Sequence, residues 1–274
     1  MVRSLNSGVS GIQQFQSKLD VIGNNIANSN TLGFKSGRAD FEDTFSQTIS
    51  SGATDVQIGS GVATGSVKQI FQQGVLSRTS VPTDVGIQGD GFFLVRHPVS
   101  GETFATRAGA FDKDSQGYLV TSDGFRLQGY SDAGLTTPGD IQIDDTGKPA
   151  GDPGVYDSFR VENDGTITVV LAGGIATSFT RGQILLQRFQ NPNALIQEGN
   201  NLFSGIDIAG PLAQPEAPGS NGLGILKGGY LEMSNVDIAN EFTSMITTQR
   251  GFQASARIIT TTDEMLQEVV NLKR

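Results

Sequence analysis

The residues best spaced for chemistry lie between Asp112 and Asp123. Asp112, Asp114 and Gln116 place side-chain oxygens at positions one, three and five of a twelve-residue loop, with Gly117 at six and Asp123 at twelve. That spacing matches a calcium loop, where oxygens surround the ion and the glycine turns the chain sharply. The flanks point elsewhere. Gly109-Ala110-Phe111 and Val120-Thr121 read as strands, whereas an EF-hand needs helices, and a β-turn stabilised by Asp side chains uses the same residues. His97, the only histidine, precedes Pro98. No flanking motif supplies the nucleophile and orienting acid that a catalytic histidine needs, so it reads as a surface residue. Gly59-Ser60-Gly61 with Gly65-Ser66 resembles a phosphate loop but lacks both the Lys-Ser/Thr pair and a helix start, and reads as a plain loop. No catalytic, cofactor or metal-binding residue is therefore assigned, and an enzyme is not expected.

The elements that must carry function are the two ends of the chain. Leu5, Ile12, Leu19 and Ile26 recur every seven residues, with Phe15 and Ile22 three places after Ile12 and Leu19. Ile238, Met245, Phe252, Ile259 and Leu266 recur at the same interval. A seven-residue repeat keeps a narrow apolar seam on one side of a helix, as in helices that pack by supercoiling. Such a seam can be buried on a β-domain of the same molecule or against other helices. Each buried seam residue contributes about 1.5–3 kcal/mol either way. The narrowness of the stripes and their placement at both ends favour a helix pair that polymerises. Neither helix has an evident partner in the middle of the chain.

Composition narrows the function classes. At 274 residues the length suits one large or two modest domains. The net charge of −9 and pI near 4.6 leave no basic stripe to neutralise phosphates, so nucleic acid is not an expected partner. No apolar run approaches the ~20 residues that cross a bilayer, so membrane insertion is not expected. The opening Met1-Val2-Arg3-Ser4-Leu5-Asn6 lacks the continuous apolar core of a secretory signal. Cysteine is absent, which excludes disulfides, thiolate metal sites and cysteine nucleophiles. The 36 glycines follow no three-residue period and, interleaved with Asn, Asp, Ser and Thr, predict many tight turns between short strands.

The pattern predicts an α+β chain: N- and C-terminal helices pairing as a coiled coil, with a central all-β domain. Its divisions are an N-terminal helix and extended linker over 1–66, a β-domain over 67–226 and a C-terminal helix over 227–274. The first helix should run from about Ser4 to Ile26 and stop at Asn28-Ser29-Asn30, whose side chains compete for backbone hydrogen bonds. Phe41, Phe45 and Ile49 mark a short amphipathic stretch, and Ser50 to Gly65 reads as a flexible connection. Ser122-Asp123-Gly124 and Asn163-Asp164-Gly165, each between short apolar runs, predict hairpins. Pro211 to Gly224, with three Pro and three Gly, reads as a loop or linker. The last helix should open at Ser234-Asn235-Val236-Asp237 through a capping box and run to Lys273-Arg274, whose cations suit the negative helix end. Its ~37 residues would span roughly 55 Å.

At this point a resemblance becomes specific. Leu19-Asp20-Val21-Ile22-Gly23-Asn24-Asn25-Ile26-Ala27-Asn28, followed by Thr31-Leu32-Gly33-Phe34-Lys35, resembles the N-terminal signature of bacterial flagellar rod and hook proteins. Ser234-Asn235-Val236-Asp237-Ile238-Ala239, Thr248-Gln249-Arg250-Gly251-Phe252-Gln253 and Thr262-Asp263-Glu264-Met265-Leu266 resemble the matching C-terminal one. Gly89-Asp90-Gly91-Phe92-Phe93 and Thr106-Arg107-Ala108-Gly109-Ala110-Phe111 fit the same family. Within it, the C-terminal helix and Leu127-Gln128-Gly129-Tyr130 are most similar to the hook protein, which makes a hook subunit the leading expectation. The length, Phe41-Glu42-Asp43, Gln47-Thr48-Ile49 and Gln57-Ile58-Gly59 are similar to the distal rod protein, the alternative.

The resemblance implies a homopolymer. In this family the terminal helices line a helical tube, the β-domains form its outer layer, and subunits leave the cell through the flagellar export apparatus without a cleaved signal. Neighbouring axial and junction proteins are the implied partners, and the hook or basal body the implied location. The expected assembly interface comprises Leu5, Ile12, Leu19, Ile22, Ile26, Ile238, Phe242, Met245, Phe252, Ile259 and Leu266. A trimeric surface adhesin or phage-tail fibre is the rival from a different class.

Overall fold

The computed structural model describes residues 2–44, 46–51, 54–144, 154–173, 178–212 and 214–272. Its helices are α1 (Val2–Ala27), the single turn α2 (Ile206–Ala209) and α3 (Ile238–Leu272). The chain divides into two compact units. One comprises Met1–Ser29, Lys35–Ile70 and Val236–Arg274; the other comprises Asn30–Phe34 and Phe71–Asn235.

The first unit holds both long helices and a set of strands that the sequence pattern conceals. β1 (Gly37–Asp43) pairs antiparallel with β4 (Val62–Gln69) through a bulge at Asp40–Phe41. β2 (Ser46–Ser51) pairs with β3 (Thr54–Gly59), from Ser46 opposite Gly59 to Ser51 opposite Thr54. Ser50–Gly65 is thus largely strand and not the flexible connection its Gly, Ser and Thr content suggested. The reason lies in β-branched residues at alternate positions, Thr54, Val56 and Ile58 and then Val62 and Thr64, which favour extended backbone. Phe41 lies in β1 and Ile49 in β2, while Phe45 falls outside the described residues.

α1 ends as expected, with Asn28 N–H donating to Asn24 O at 3.1 Å and Ser29 N–H to Ile26 O at 3.2 Å. α3 starts four residues later than the capping-box reading placed it. Asp237 serves as its cap: Oδ1 accepts from the N–H groups of Ala239 at 2.9 Å and Asn240 at 3.3 Å. The 35 residues of α3 span about 52 Å. Lys273 and Arg274 lie outside the described residues.

The second unit is β-structure. Among the described residues, twelve strands share one antiparallel sheet. Its main path runs Val155–Val161, Thr166–Ala172, Ser178–Ile184, Arg126–Tyr130, Phe92–Arg96, Thr103–Thr106, Leu202–Ser204 and Ile196–Gly199. Period-two patterning decides what it buries: Ile167, Val169 and Leu171 point inward from Thr166–Ala172 while the residues between them do not. They join Phe93, Val95, Phe111, Leu119, Leu127 and Ile184 in the larger of two cores. Both expected hairpins are present, Val120 pairing with Arg126 and Val161 with Ile167. The described residues of Pro211–Gly224 form a loop, one of the two expected alternatives, held against the sheet. Leu186 and Glu216 exchange backbone hydrogen bonds at 2.9 and 3.0 Å, Leu223 is buried, and strands continue to Glu232.

A buried ion pair clasps this unit. The Arg107 and Glu232 side chains are 3% and 0% exposed and lie 3.4 Å apart. Glu232 also accepts from Gly74 N–H at 2.9 Å, while Arg107 donates to Gly89 O at 3.0 Å and lies 5.0 Å over the Phe92 ring. Removing one partner strands the other charge in a dry site, whereas replacing both removes the charge altogether. Arg107→Met should therefore cost about 3–5 kcal/mol in urea unfolding, and Arg107→Met with Glu232→Leu should recover much of it. Equal losses in the single and double variants would show that the pair contributes packing alone.

Candidate assembly interface

The seven-residue rows at the two ends meet within the first unit. A methyl group added at Gly8 of α1 would stand 3.1 Å from Ile259 Cγ1 of α3, and one at Gly251 would stand 2.6 Å from the Phe15 ring. Asn25 reaches Glu241 at 3.1 Å. Gly8 thus meets Ile259, Phe15 meets Gly251 and Asn25 meets Glu241, so the helices run antiparallel. At the first two contacts a large side chain stands against glycine, which lets the helix backbones approach closely.

α3 presents two alternating rows to α1. Met245, Phe252, Ile259 and Leu266 form the row visible in the sequence, and all four are half-buried. Glu241, Thr248, Ser255 and Thr262 form the other, which hydrophobicity does not reveal. Thr248 and Thr262 are nonetheless the most buried residues of the helix, at 2% exposure each. Their hydroxyls donate back to Ser244 O at 2.7 Å and Ile258 O at 2.6 Å, so burial leaves neither unsatisfied. On α1, Ile22 is buried and Leu5, Ile12, Leu19 and Ile26 are half-buried. Ile238 and Phe242 differ from the other expected contacts in being exposed. Ile238 opens α3 where α1 is ending, and Phe242 stands one residue past Glu241, on the flank of the seam.

α1 has a second covered face, contrary to the expectation that neither helix finds a partner in the intervening chain. Ser10 Oγ accepts from Val62 N–H at 3.4 Å, Gln14 accepts from the Thr64 hydroxyl, and Asn25 takes both backbone groups of Gly37 at 2.8 Å. The β1–β4 ribbon therefore lies along α1 beside α3. Asn25, 2% exposed, joins all three elements with its amide oxygen and nitrogen both used. On the ribbon's outer side Arg38 Nε donates to Asp40 at 2.8 Å. That bond is the chief reason the Asp40 carboxyl lies below its ordinary range, with Lys68 at 3.7 Å assisting.

The seam leaves apolar surface over. Ile258, Met265 and Leu272 follow seven-residue spacing and are exposed; Ile258 and Met265 each precede a seam residue by one position. Phe242 and Ile246, also exposed, each follow a seam residue by one. One position turns a helix by about 100°, so these groups occupy opposite flanks of α3, one near each end.

The residues considered for chemistry have structural roles. His97 Nδ1 accepts from the N–H groups of Val99 at 3.2 Å and Ser100 at 3.1 Å, capping a turn. Asp112-Lys113 pairs with Leu119-Val120, and Asp114 Oδ1 accepts from Ser115 N–H at 2.6 Å, so the calcium-like spacing is that of a hairpin. Among the described residues no group of three or more His, Cys, Asp or Glu side chains is placed to hold a metal. Gly59 ends β3, and Gly65 and Ser66 lie within β4, with no helix following.

Comparison with known proteins agrees with this architecture. The model described as "Flagella basal body rod protein" matches residues 5–35, and "Flagellar hook protein FlgE/F/G D1 domain" matches 86–169. "Flagellar basal body rod FlgEFG protein C-terminal" matches 227–272. The flagellar basal-body rod protein FlgG of Bacillus subtilis is 42% identical over 283 residues, covering 100% of both chains. That of Caulobacter vibrioides is 37% identical over 283 residues, covering 99% of this chain and 100% of its own. The flagellar hook protein FlgE of Borreliella burgdorferi is 29% identical over 444 residues, covering 100% of both.

A chain whose two terminal helices pack on each other, and which aligns from end to end with such proteins, is a structural component of the flagellar axis. It belongs to the flagellar basal-body rod and hook protein family. The leading expectation of a hook subunit is not supported. The rod relatives match at higher identity without extra length, whereas the hook relative needs 444 positions to accommodate these 274 residues.

The seam generates a direct test. Gly251→Val should force the Phe15 ring aside and cost about 1–3 kcal/mol of helix-pair stability. The effect is read as lost helical ellipticity and faster proteolysis of both termini, and Phe15→Ala in the same chain should restore part of it. Unchanged helicity in Gly251→Val would show that the helices do not pack this closely.

Proposed function

We propose that this chain is a subunit of the distal rod of the flagellar basal body, polymerising into a straight section of the axial tube. End-to-end similarity to rod proteins of equal length carries the reading. The segments that resemble the distal rod protein, Phe41-Glu42-Asp43, Gln47-Thr48-Ile49 and Gln57-Ile58-Gly59, fall on β1, β2 and β3 of the helix-bearing unit.

The proposed mechanism is assembly through the helices. α1 and α3 form an antiparallel coiled coil in the polymer, with Leu5, Ile12, Leu19, Ile22, Ile26, Met245, Phe252, Ile259 and Leu266 holding the pair together. Ile238 and Phe242, which α1 leaves exposed, face neighbouring copies. The two apolar flanks of α3 support this. Unlike patches near different ends can meet head to tail, and a head-to-tail contact that does not close produces an open filament. Each flank residue buried contributes about 1.5–3 kcal/mol to the lattice. In this reading the terminal segments 1–66 and 227–274 build the tube, the 67–226 segment is presented by it, and the export apparatus and adjoining axial and junction proteins are the partners.

Two measurements test the proposal. A tagged copy should sit within the cell envelope in intact flagella; signal from the curved section beyond the outer surface would instead make it a hook subunit. Ile259→Asp or Leu19→Asp should leave the β-unit folded and abolish polymer and swimming, because each places an unpaired charge in the seam. Normal motility with either change would refute the assembly role of the seam.

A further inference from the structure

The β-unit carries a knob and a hole at opposite ends of one strand. The Phe92–Arg96 strand ends in the His97–Gly101 turn, at whose tip Val99 is 89% exposed. This turn is pre-organised. Pro98 fixes its own φ, His97 Nδ1 accepts from both Val99 and Ser100 N–H groups, and Gly101 N–H donates to His97 O at 3.0 Å. An apolar side chain held rigidly at a turn tip loses little entropy on docking.

At the strand's other end Gln187 pairs with Phe92 and Leu186 with Phe93. A cavity of about 250 Å³ opens there, with Leu186, Leu212 and Leu223 among its lining and Arg188, Glu216 and Asn221 at its polar edge. Leu212 is 54% exposed although it lines an apolar hollow. Glu216 accepts from Asn221 Nδ2 at 2.6 Å, whereas Arg188 has no ion pair among the described residues. Glu102, beside the knob, has none either, its carboxylate taking only a hydrogen bond from Ser100 Oγ at 3.2 Å. Leu212, the exposed leucine of the hollow, gives the knob an apolar partner, and Glu102 and Arg188 beside the two features are opposite in sign.

We propose that the Val99 turn of one copy seats in the Leu186–Leu212–Leu223 hollow of the next, with Glu102 meeting Arg188. Five residues of strand separate the two features by about 16 Å, so one molecule cannot close the contact on itself. Repetition stacks β-units end to end, a second polymer contact made without the helices. The inference rests on the axial-subunit reading and adds where the β-units touch.

The natural absence of cysteine makes the test clean. Val99→Cys with Leu212→Cys, both at exposed positions, is introduced in flagellated cells, and isolated basal bodies are oxidised. A disulfide needs its Cα atoms within about 7 Å, so only the docked arrangement can link the two sites. The expected result is a ladder of dimers, trimers and longer species, absent from either single variant. As a second readout, Glu102→Arg and Arg188→Glu should each lower rod yield about two- to fivefold, as exposed ion pairs do, and together restore it. Basal bodies that contain the chain but yield no ladder, with charge effects that add instead of cancelling, overturn this contact and leave the axial role standing. Absence of the chain from basal bodies overturns both.

Discussion

Close approach of two helix backbones is the constraint on which the first unit depends. It requires glycine where the partner is large: Gly8 beneath Ile259 and Gly251 beneath Phe15. It also requires small polar residues that satisfy themselves, as Thr248 and Thr262 do through the carbonyls one turn back. A seam of large apolar residues on both sides would bury more surface but hold the helices further apart. The chain instead alternates bulk and its absence, which fixes register because a one-residue slip would set Phe15 against a side chain in place of Gly251.

Register is fixed a second time by polarity. Asn25 is almost wholly buried and spends its amide on Gly37 and Glu241, so sliding either helix or ribbon would leave a buried amide without partners. That penalty is about 1–3 kcal/mol, comparable to the cost of misplacing one seam side chain. Two independent locks, one steric and one polar, sit at different heights of the same pair. The β1–β4 ribbon then covers the side of α1 that α3 leaves bare, so α1 is the interior element of the unit and α3 the outward one.

What the sequence made legible follows from which forces leave a periodic trace. The two helices and the hairpins at Ser122-Asp123-Gly124 and Asn163-Asp164-Gly165 were readable because heptads, alternation and turn chemistry are local. The row Glu241, Thr248, Ser255 and Thr262 was not, since its burial comes from the size of the partner and carries no hydrophobic signal. β2 to β4 were hidden because the Gly and Ser content masks the alternation of Thr54, Val56 and Ile58 and of Val62 and Thr64. Whether Phe242 faces α1 or lies on its flank was not legible either, because hydrophobicity alone does not distinguish the two. The choice between hook and rod rests on length and whole-chain similarity, and no single motif carries it.

The distribution of leftover apolar surface distinguishes a subunit from a finished molecule. A monomer that ended its folding at the α1–α3 seam would gain nothing from Ile258, Met265 and Leu272 in a heptad row beside it, and would risk non-specific association. Their seven-residue spacing argues that the surface is matched to another helix, since scattered exposed residues carry no period. Phe242 and Ile246 lie on the opposite flank near the opposite end, so the leftover apolar surface has a direction along α3. Where unlike patches meet head to tail, each added copy leaves one of each free, and a rotation that does not close then gives a filament.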